Sequence, residues 1–273
     1  MRILSDDEVR FAIHLFDSGV GVTDIAKRLH TRTTSVSKAL KNNGRTHKQG
    51  SIGIRELRKD YFEQIDSEIK AYYVGLMFTD GSVTLDKSGK RAPNIRLELC
   101  ETDYGVLYMF RDELGITSSL RYDKRTNRKN GTFTISVRSR ELANSLSKYG
   151  IVPNKTYTTK SLPNIPDCYI PAFLHGLIDG DGSIYYSKGA WHVNFCSHSK
   201  NICEEFERMC SSLIGKERPI RVQCSDDVYR ITYNGVWARK LVELCFRDAD
   251  YGIARKRLLA MKACEDNAVE DIV

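Results

Sequence analysis

A chain of 273 residues, 41% of them hydrophobic, can bury a real core and exceeds the usual length of one domain. Its formal charge of +7 and pI near 8.9 favour a polyanionic partner. Apolar stretches such as Ala71 to Phe78 are too short to cross a bilayer, and the start Met-Arg-Ile-Leu-Ser-Asp-Asp-Glu lacks a secretory apolar segment, so a cytoplasmic protein with no membrane partner is expected. None of the eight cysteines is spaced Cys-x-x-Cys. Cys203 and Cys210 stand seven apart, on one helix face, and the set reads as reduced core thiols rather than disulfides or a zinc site.

In chain order, Asp6 to Ser18 predicts a helix with Val9, Ile13 and Phe16 at helical spacing, broken by Gly19-Val20-Gly21. Thr23-Asp24 can cap a short second helix holding Ile25, Ala26 and Leu29. After a turn at His30-Thr31-Arg32, Thr33 or Thr34 can cap a third helix with Val36 and Leu40 inside, ending near Gly44. The run "VTDIAKRLHTRTTSVSKAL" resembles the helix-turn-helix family, whose last helix enters the major groove. That resemblance implies a DNA-binding domain over residues 1–44, with Arg32, Thr34, Ser35, Ser37, Lys38 and Lys41 facing outward. Residues 45–60 lack periodicity and read as a basic linker, in which Arg45 and Lys48 can track a phosphate backbone.

From about Tyr61 the chain repeats itself. Gly75 and Gly176 are 101 positions apart, and so are Asp80 and Asp181, and Lys155 and Lys256. One matched spacing is noise; the same shift at both ends of a long segment argues for a duplicated unit, residues 61–162 and 163–265, followed by an acidic tail over 266–273. Each unit predicts helix, two strands, helix, a hairpin and a closing helix, an αββαββα order in an α+β chain. In the second strands Ile95, Leu97 and Leu99 alternate with Arg96 and Glu98, and Trp191, Val193 and Phe195 with His192 and Asn194. The antiparallel sheets therefore have one apolar and one wet face. The wet faces carry Arg96, Arg121, Arg125, Arg138, His192, Asn194, Arg221, Gln223, Arg230 and Thr232, a donor-rich surface suited to nucleic acid.

Two helices, Ser67 to Phe78 and Pro171 to Ile178, lead into Asp-Gly-Ser. Small residues at Gly75 and Thr79, and at Gly176 and Gly180, line one face of each, which lets the two helices touch backbone to backbone. Asp80 and Asp181 then arrive side by side at helix C-termini. The helix dipole disfavours carboxylates there, so the cluster calls for cations, and hard oxygen ligands suit Mg²⁺ or another divalent ion such as Mn²⁺. Metal beside phosphate is the layout of phosphodiester hydrolysis.

"YVGLMFTDG" (Tyr73 to Gly81) and "LHGLIDGDG" (Leu174 to Gly182) resemble the two motifs of the LAGLIDADG homing endonucleases in their single-chain, two-repeat form. The second motif departs from the signature only at His175 and Gly180; the first is more diverged but keeps Gly75, Leu76, Asp80 and Gly81. The resemblance covers about Tyr61 to Leu259. It implies two pseudo-twofold related repeats with saddle-shaped sheets over the major groove, a monomer, and double-strand cleavage of DNA by a bacterial, phage or organellar gene product. It implies that Asp80 and Asp181 bind the divalent ion, helped by the Thr79 and Gly180 carbonyls. It implies that Lys155 and Lys256 are active-site lysines that orient water or offset charge on the phosphate. Phe78 stands where the second motif has Asp179, so asymmetry between strands is expected. His175 reads as an interface residue. Glu101 and Ser197 follow the second strands, where water-organising residues could sit. Two alternatives share the scaffold: a transcription regulator that binds DNA without cutting, and an RNA maturase, in which case RNA is a partner.

Overall fold

The computed structural model describes residues 4–17, 20–45, 57–116, 119–124, 130–216 and 220–270. Lys48 and Arg125 lie outside the described residues. Three helices open the chain: α1 (Asp6–Asp17), α2 (Val22–Arg28) and α3 (Thr33–Asn42). Then follow α4 (Glu68–Thr79), β1 (Gly81–Thr84), β2 (Asn94–Cys100), α5 (Tyr104–Glu113), β3 (Arg121–Asp123), β4 (Thr132–Arg138), α6 (Arg140–Ser147) and a single-turn α7 (Lys155–Thr158). The series returns as α8 (Ile170–Asp181), β5 (Gly182–Ser187), β6 (Ala190–Ser197), α9 (Lys200–Ile214), β7 (Gln223–Ser225), β8 (Val228–Asn234), α10 (Val236–Phe246) and a long α11 (Ala254–Glu270). The chain is α+β, with two four-stranded sheets ordered β1-β2-β4-β3 and β5-β6-β8-β7. The same strand order twice is the fold-level trace of the duplication.

The chain folds as two bodies, one of Met1–Arg58 with Leu97–Ser136, the other of Lys59–Arg96 with Val137–Val273. In the first, Ala12, Leu15, Ile25, Ala26, Val36 and Leu40 are buried between the three opening helices. Both later helices start earlier than their threonines suggest. Gly21 and Arg32 occupy the cap positions in extended backbone, with no side-chain cap bond. The Arg32 carbonyl already receives the Ser35 and Val36 amides, which puts Thr33 and Thr34 inside the first turn. Ser35 turns inward and is 7% exposed beside Val36, a correction to its placement on the outer face.

Also within the first body, α2 lies against β3, and Arg28 is the contact the sequence does not announce. Its guanidinium sits 5.0 Å from the Phe11 ring, 5.8 Å from Tyr122 and 5.5 Å from Phe133. Glu101, 4.0 Å away, supplies the counter-charge and accepts a hydrogen bond from the Tyr122 hydroxyl at 2.9 Å. Cation–π contacts of this kind contribute roughly 0.5–2 kcal/mol each, the more so when shielded from water. Glu101 is thus committed to holding Arg28 and Tyr122.

In the second body α4 and α8 are apolar all round, and Ala71 to Phe78 and Ala172 to Asp179 are buried without a break. In β6 and β8, Trp191, Val193, Phe195, Ile231 and Tyr233 point inward. Phe195 stacks on Phe206 of α9 at 4.4 Å between centroids. The opposite face is built from the pairs His192↔Asn234, Asn194↔Thr232 and Cys196↔Arg230 of the β6–β8 register, flanked by Tyr185 and Gln223. The helix α11 runs through the start of the expected acidic tail. Its Asp266 accepts a hydrogen bond from the Trp191 indole at 2.6 Å.

Candidate active site

The second body delivers both acids. Gly75 and Gly176 are in backbone contact: a methyl on Gly75 would lie 2.3 Å from the Phe173 carbonyl oxygen, and one on Gly176 2.1 Å from that of Tyr72. Only hydrogen fits at either position, and the fit fixes how far along each other α4 and α8 lie. The same intimacy continues to the helix ends. A methyl on Gly180 would fall 1.8 Å from Thr79 Oγ1 and 2.9 Å from Asp80 Oδ2. After each acid comes another obligatory glycine, since a side chain on Gly81 would meet the Met77 carbonyl at 2.5 Å and one on Gly182 the Asn194 carbonyl at 2.7 Å. The strand can therefore turn off the helix at once, and the acid is left at the corner.

Both aspartates are exposed as residues, yet surrounding protein desolvates their carboxylates. Burial pushes Asp80 up to about 6, and the charge of Asp181 pushes the same way, against the pull of Lys256 and Lys155. Burial also raises Asp181, against the pull of Lys155, Lys256 and His198. Two acids that resist ionising together at the negative ends of two helices form a site short of positive charge.

Lys155 and Lys256 both reach this corner. Lys155 Nζ donates to the Thr79 carbonyl at 2.7 Å and lines a cleft with Thr79, Asp181, Ser197 and His198. Burial lowers its pKa, while Asp181 and Asp80 oppose that shift. Lys256 is only 4% exposed and donates to the carbonyls of Ile178 (2.7 Å), Asp179 (2.6 Å) and Gly182 (2.8 Å). Ser197 thus stands at the cleft, whereas Glu101 is occupied in the other body. His175 is fully buried, packed at centroid distances of 4.9 Å on Tyr72 and 3.8 Å on Phe246, as an interface residue.

Sequence reasoning missed Asp179 and His198. Asp179 is 2% exposed, and its Oδ2 accepts from the Tyr72 hydroxyl at 2.9 Å and the Ile253 amide at 2.7 Å. The signal was available in the Phe78/Asp179 mismatch, because a lone acid in an apolar helix needs buried donors. His198 gives no pattern at all; a turn residue after a strand shows nothing until the cleft forms.

Of the residues expected to meet nucleic acid, Arg32, Thr34, Ser37, Lys38 and Lys41 are exposed on the opening helices. Arg45 is drawn into an ion pair with Asp17 at 2.8 Å. Arg121, Arg221, Gln223 and Arg230 are exposed, and Arg96, Asn194 and Thr232 partly so. Arg138 is exposed and donates to the Ala92 carbonyl at 3.1 Å. His192 is held between Asn234 (2.6 Å) and the Ser187 carbonyl (3.0 Å), and stacks on Tyr185. Among the described residues no helix is long and apolar enough to cross a membrane.

Duplicated α+β halves with paired acids at abutting helix ends define the class of fold. Residues 169–245 match the family model described as LAGLIDADG-like domain. Similar solved structures include the LAGLIDADG meganuclease I-AabMI bound to uncleaved DNA (14% identity, 73% of this chain and 90% of that one, TM-score 0.48). Others are I-SmaMI bound to an uncleaved DNA target in the presence of calcium ions (14%, 74% and 91%, 0.48) and I-DmoI in complex with DNA and Mn (17%, 60% and 88%, 0.40). No curated protein matches the chain.

Proposed function

We propose that this chain is a site-specific homing endonuclease that hydrolyses both strands of double-stranded DNA with divalent metal. The observation that carries the reading is the glycine-to-glycine contact that brings Asp80 and Asp181 to adjoining helix ends beside two lysines. The donor set fits a hard ion such as Mg²⁺. Among the described residues no cluster of three or more His, Cys, Asp and Glu gathers, so a soft or ligand-rich site is not offered. Mg²⁺ commonly takes one or two carboxylates and completes its shell with water and phosphate oxygens. Asp80 and Asp181 would hold it, with the Thr79 and Gly180 carbonyls. When bound, the ion supplies charge stabilisation at the phosphate and a more acidic water.

The chain's own groups do the rest. The Asp80 and Asp181 carboxylates stand at the end of the α4–α8 pair, where, holding the ion, they would align the scissile phosphates. The lysines add positive charge where the pentavalent phosphate gains negative charge. The wet face of β6 and β8, with Arg230, Thr232, Asn194 and Gln223, offers donors to base edges, and Lys38 and Lys41 of α3 offer phosphate contacts. The opening helices, read as a helix-turn-helix, would lengthen the recognised site and raise affinity through the connection to it.

Incubating the purified protein with genomic DNA of a host candidate and sequencing the ends tests this. Recurrent double-strand ends in Mg²⁺, absent in EDTA, are expected; Asp181→Asn should retain at most slow nicking of one strand. Tight site-specific binding with no ends in Mg²⁺ or Mn²⁺ would transfer the reading to a DNA-binding regulator.

A further inference from the structure

We propose that the two lysines divide the work: Lys155 is the amine offered to the substrate phosphate, and Lys256 is a positioning residue that pins the C-terminal end of α8. This division rests on the nuclease reading for its substrate half; the positioning half belongs to the free protein.

An ammonium has three protons to donate. Lys256 places them on Ile178, Asp179 and Gly182, at 2.7, 2.6 and 2.8 Å. Those carbonyls belong to the last turn of α8 and the first residue of β5, where the helix runs out of backbone donors and the dipole is negative. A lysine so placed caps the helix from another element. To reach a phosphate it would surrender a buried bond; the Ile178 carbonyl also takes the Gly182 amide, so the loss would fall on Asp179 or Gly182.

A second tie closes the same corner. Asp179 Oδ2 receives the Ile253 amide at 2.7 Å, three residues before Lys256. Gly252 makes this possible with φ +106°; a methyl there would lie 2.4 Å from His175 Nε2 and 3.0 Å from Asp179 Oδ2. The α8 carboxylate holds the turn that precedes α11, and the α11 lysine holds α8.

The first repeat lacks the acid half of this clasp and keeps one bond of the lysine half, Lys155 to the Thr79 carbonyl. Phe78 replaces the acid, so the Ile151 amide goes to the Leu146 carbonyl at 3.2 Å instead. The two segments also differ in length. Tyr-Gly-Ile is followed by Val-Pro-Asn before Lys155, but only by Ala-Arg before Lys256. Asn154, at φ +58°, swings the chain so that Lys155 opens α7. Lys155 is partly exposed there, spends one proton on the Thr79 carbonyl, and lines the cleft beside Asp181.

Competitive acetylation of the full-length protein, without metal or DNA at neutral pH, followed by peptide mass spectrometry, reads the two amines separately. Lys155 is expected to react at least about tenfold faster than Lys256, whose reaction should follow global opening. Equal rates, a faster Lys256, or an inert Lys155 would overturn the division. A companion pair separates role from stability. Lys155→Met should lose cleavage at a small cost in thermal midpoint, whereas Lys256→Met should lower the midpoint several-fold more. An unchanged midpoint in Lys256→Met with cleavage lost would also overturn it. If the wild-type chain cuts no DNA, the nuclease reading falls with the substrate half, and the labelling result alone still decides the place of Lys256.

Discussion

The C-terminal ends of α4 and α8 do the same job with different supports. Both end on an exposed aspartate, both touch through glycine, and both turn into a strand at a second glycine. Behind the acid they diverge: Phe78 packs apolarly on one side, and Asp179 anchors a polar clasp on the other. Duplication has held every position where backbone meets backbone and released the positions where side chains only have to fill or bond. The largest expected effect lies in the shared part. Gly176→Ala puts a methyl 2.1 Å from the Tyr72 carbonyl, an atom that cannot swing aside. A loss of about 3 kcal/mol or more, or failure to fold, is expected in denaturant titration. Gly75→Ala, facing the Phe173 carbonyl at 2.3 Å, should behave alike. A large gap between the two would show that the pair is not held as equals.

Next come exchanges of the divergent part. Asp179→Phe strips the acceptor from the Tyr72 hydroxyl and the Ile253 amide, both buried, and should destabilise by about 2–4 kcal/mol. Phe78→Asp places a carboxylate at an 8% exposed site whose nearest counterpart amide, Ile151, is already bonded to Leu146. A cost of about 3 kcal/mol is expected by the same denaturant titration, because an uncompensated charge is buried. If Phe78→Asp is neutral, the first corner tolerates a clasp and the asymmetry is historical rather than physical.

The shared and divergent parts were unequally legible. The pairing of Gly75 with Gly176, and the delivery of Asp80 and Asp181, could be read because a close approach demands glycine and a turn demands Asp-Gly. The alternation of Ile95, Leu97 and Leu99 placed β2 for the same kind of local reason. Ser35 was misplaced because a small polar residue beside Val36 carries no apolar signal that its face is covered. Arg28 was invisible, since a cation in a helix looks solvated until Phe11, Tyr122 and Phe133 surround it. Lys256 looked equivalent to Lys155 in spacing. Its three carbonyl partners come from a helix end some 75 residues away, which spacing does not encode.

The smallest effect sharpens the comparison of the acids themselves. Asp80 feels burial and the charge of Asp181, and its pKa rises from 3.8 to about 6. A carboxylate raised on folding binds its proton more tightly in the native state than in the unfolded one. Its ionisation therefore weakens the metal-free protein above pH 6, and the penalty fades as pH falls from about 6 to 3.8. Asp80→Asn should stabilise the protein in EDTA at pH 7.5 by on the order of 1 kcal/mol, after discounting for the residue's exposure, and by nothing below pH 4. Asp181→Asn should also stabilise, since it removes one ionised acid and relieves Asp80. Adding Mg²⁺ should reverse the order, with the wild-type chain gaining midpoint and both asparagine variants gaining little, because a ligand stabilises only the state that binds it. Thermal scans across pH, with and without the ion, read all of this without any DNA. A wild type that outlasts Asp80→Asn in EDTA at pH 7.5 would mean that the lysines already neutralise the pair.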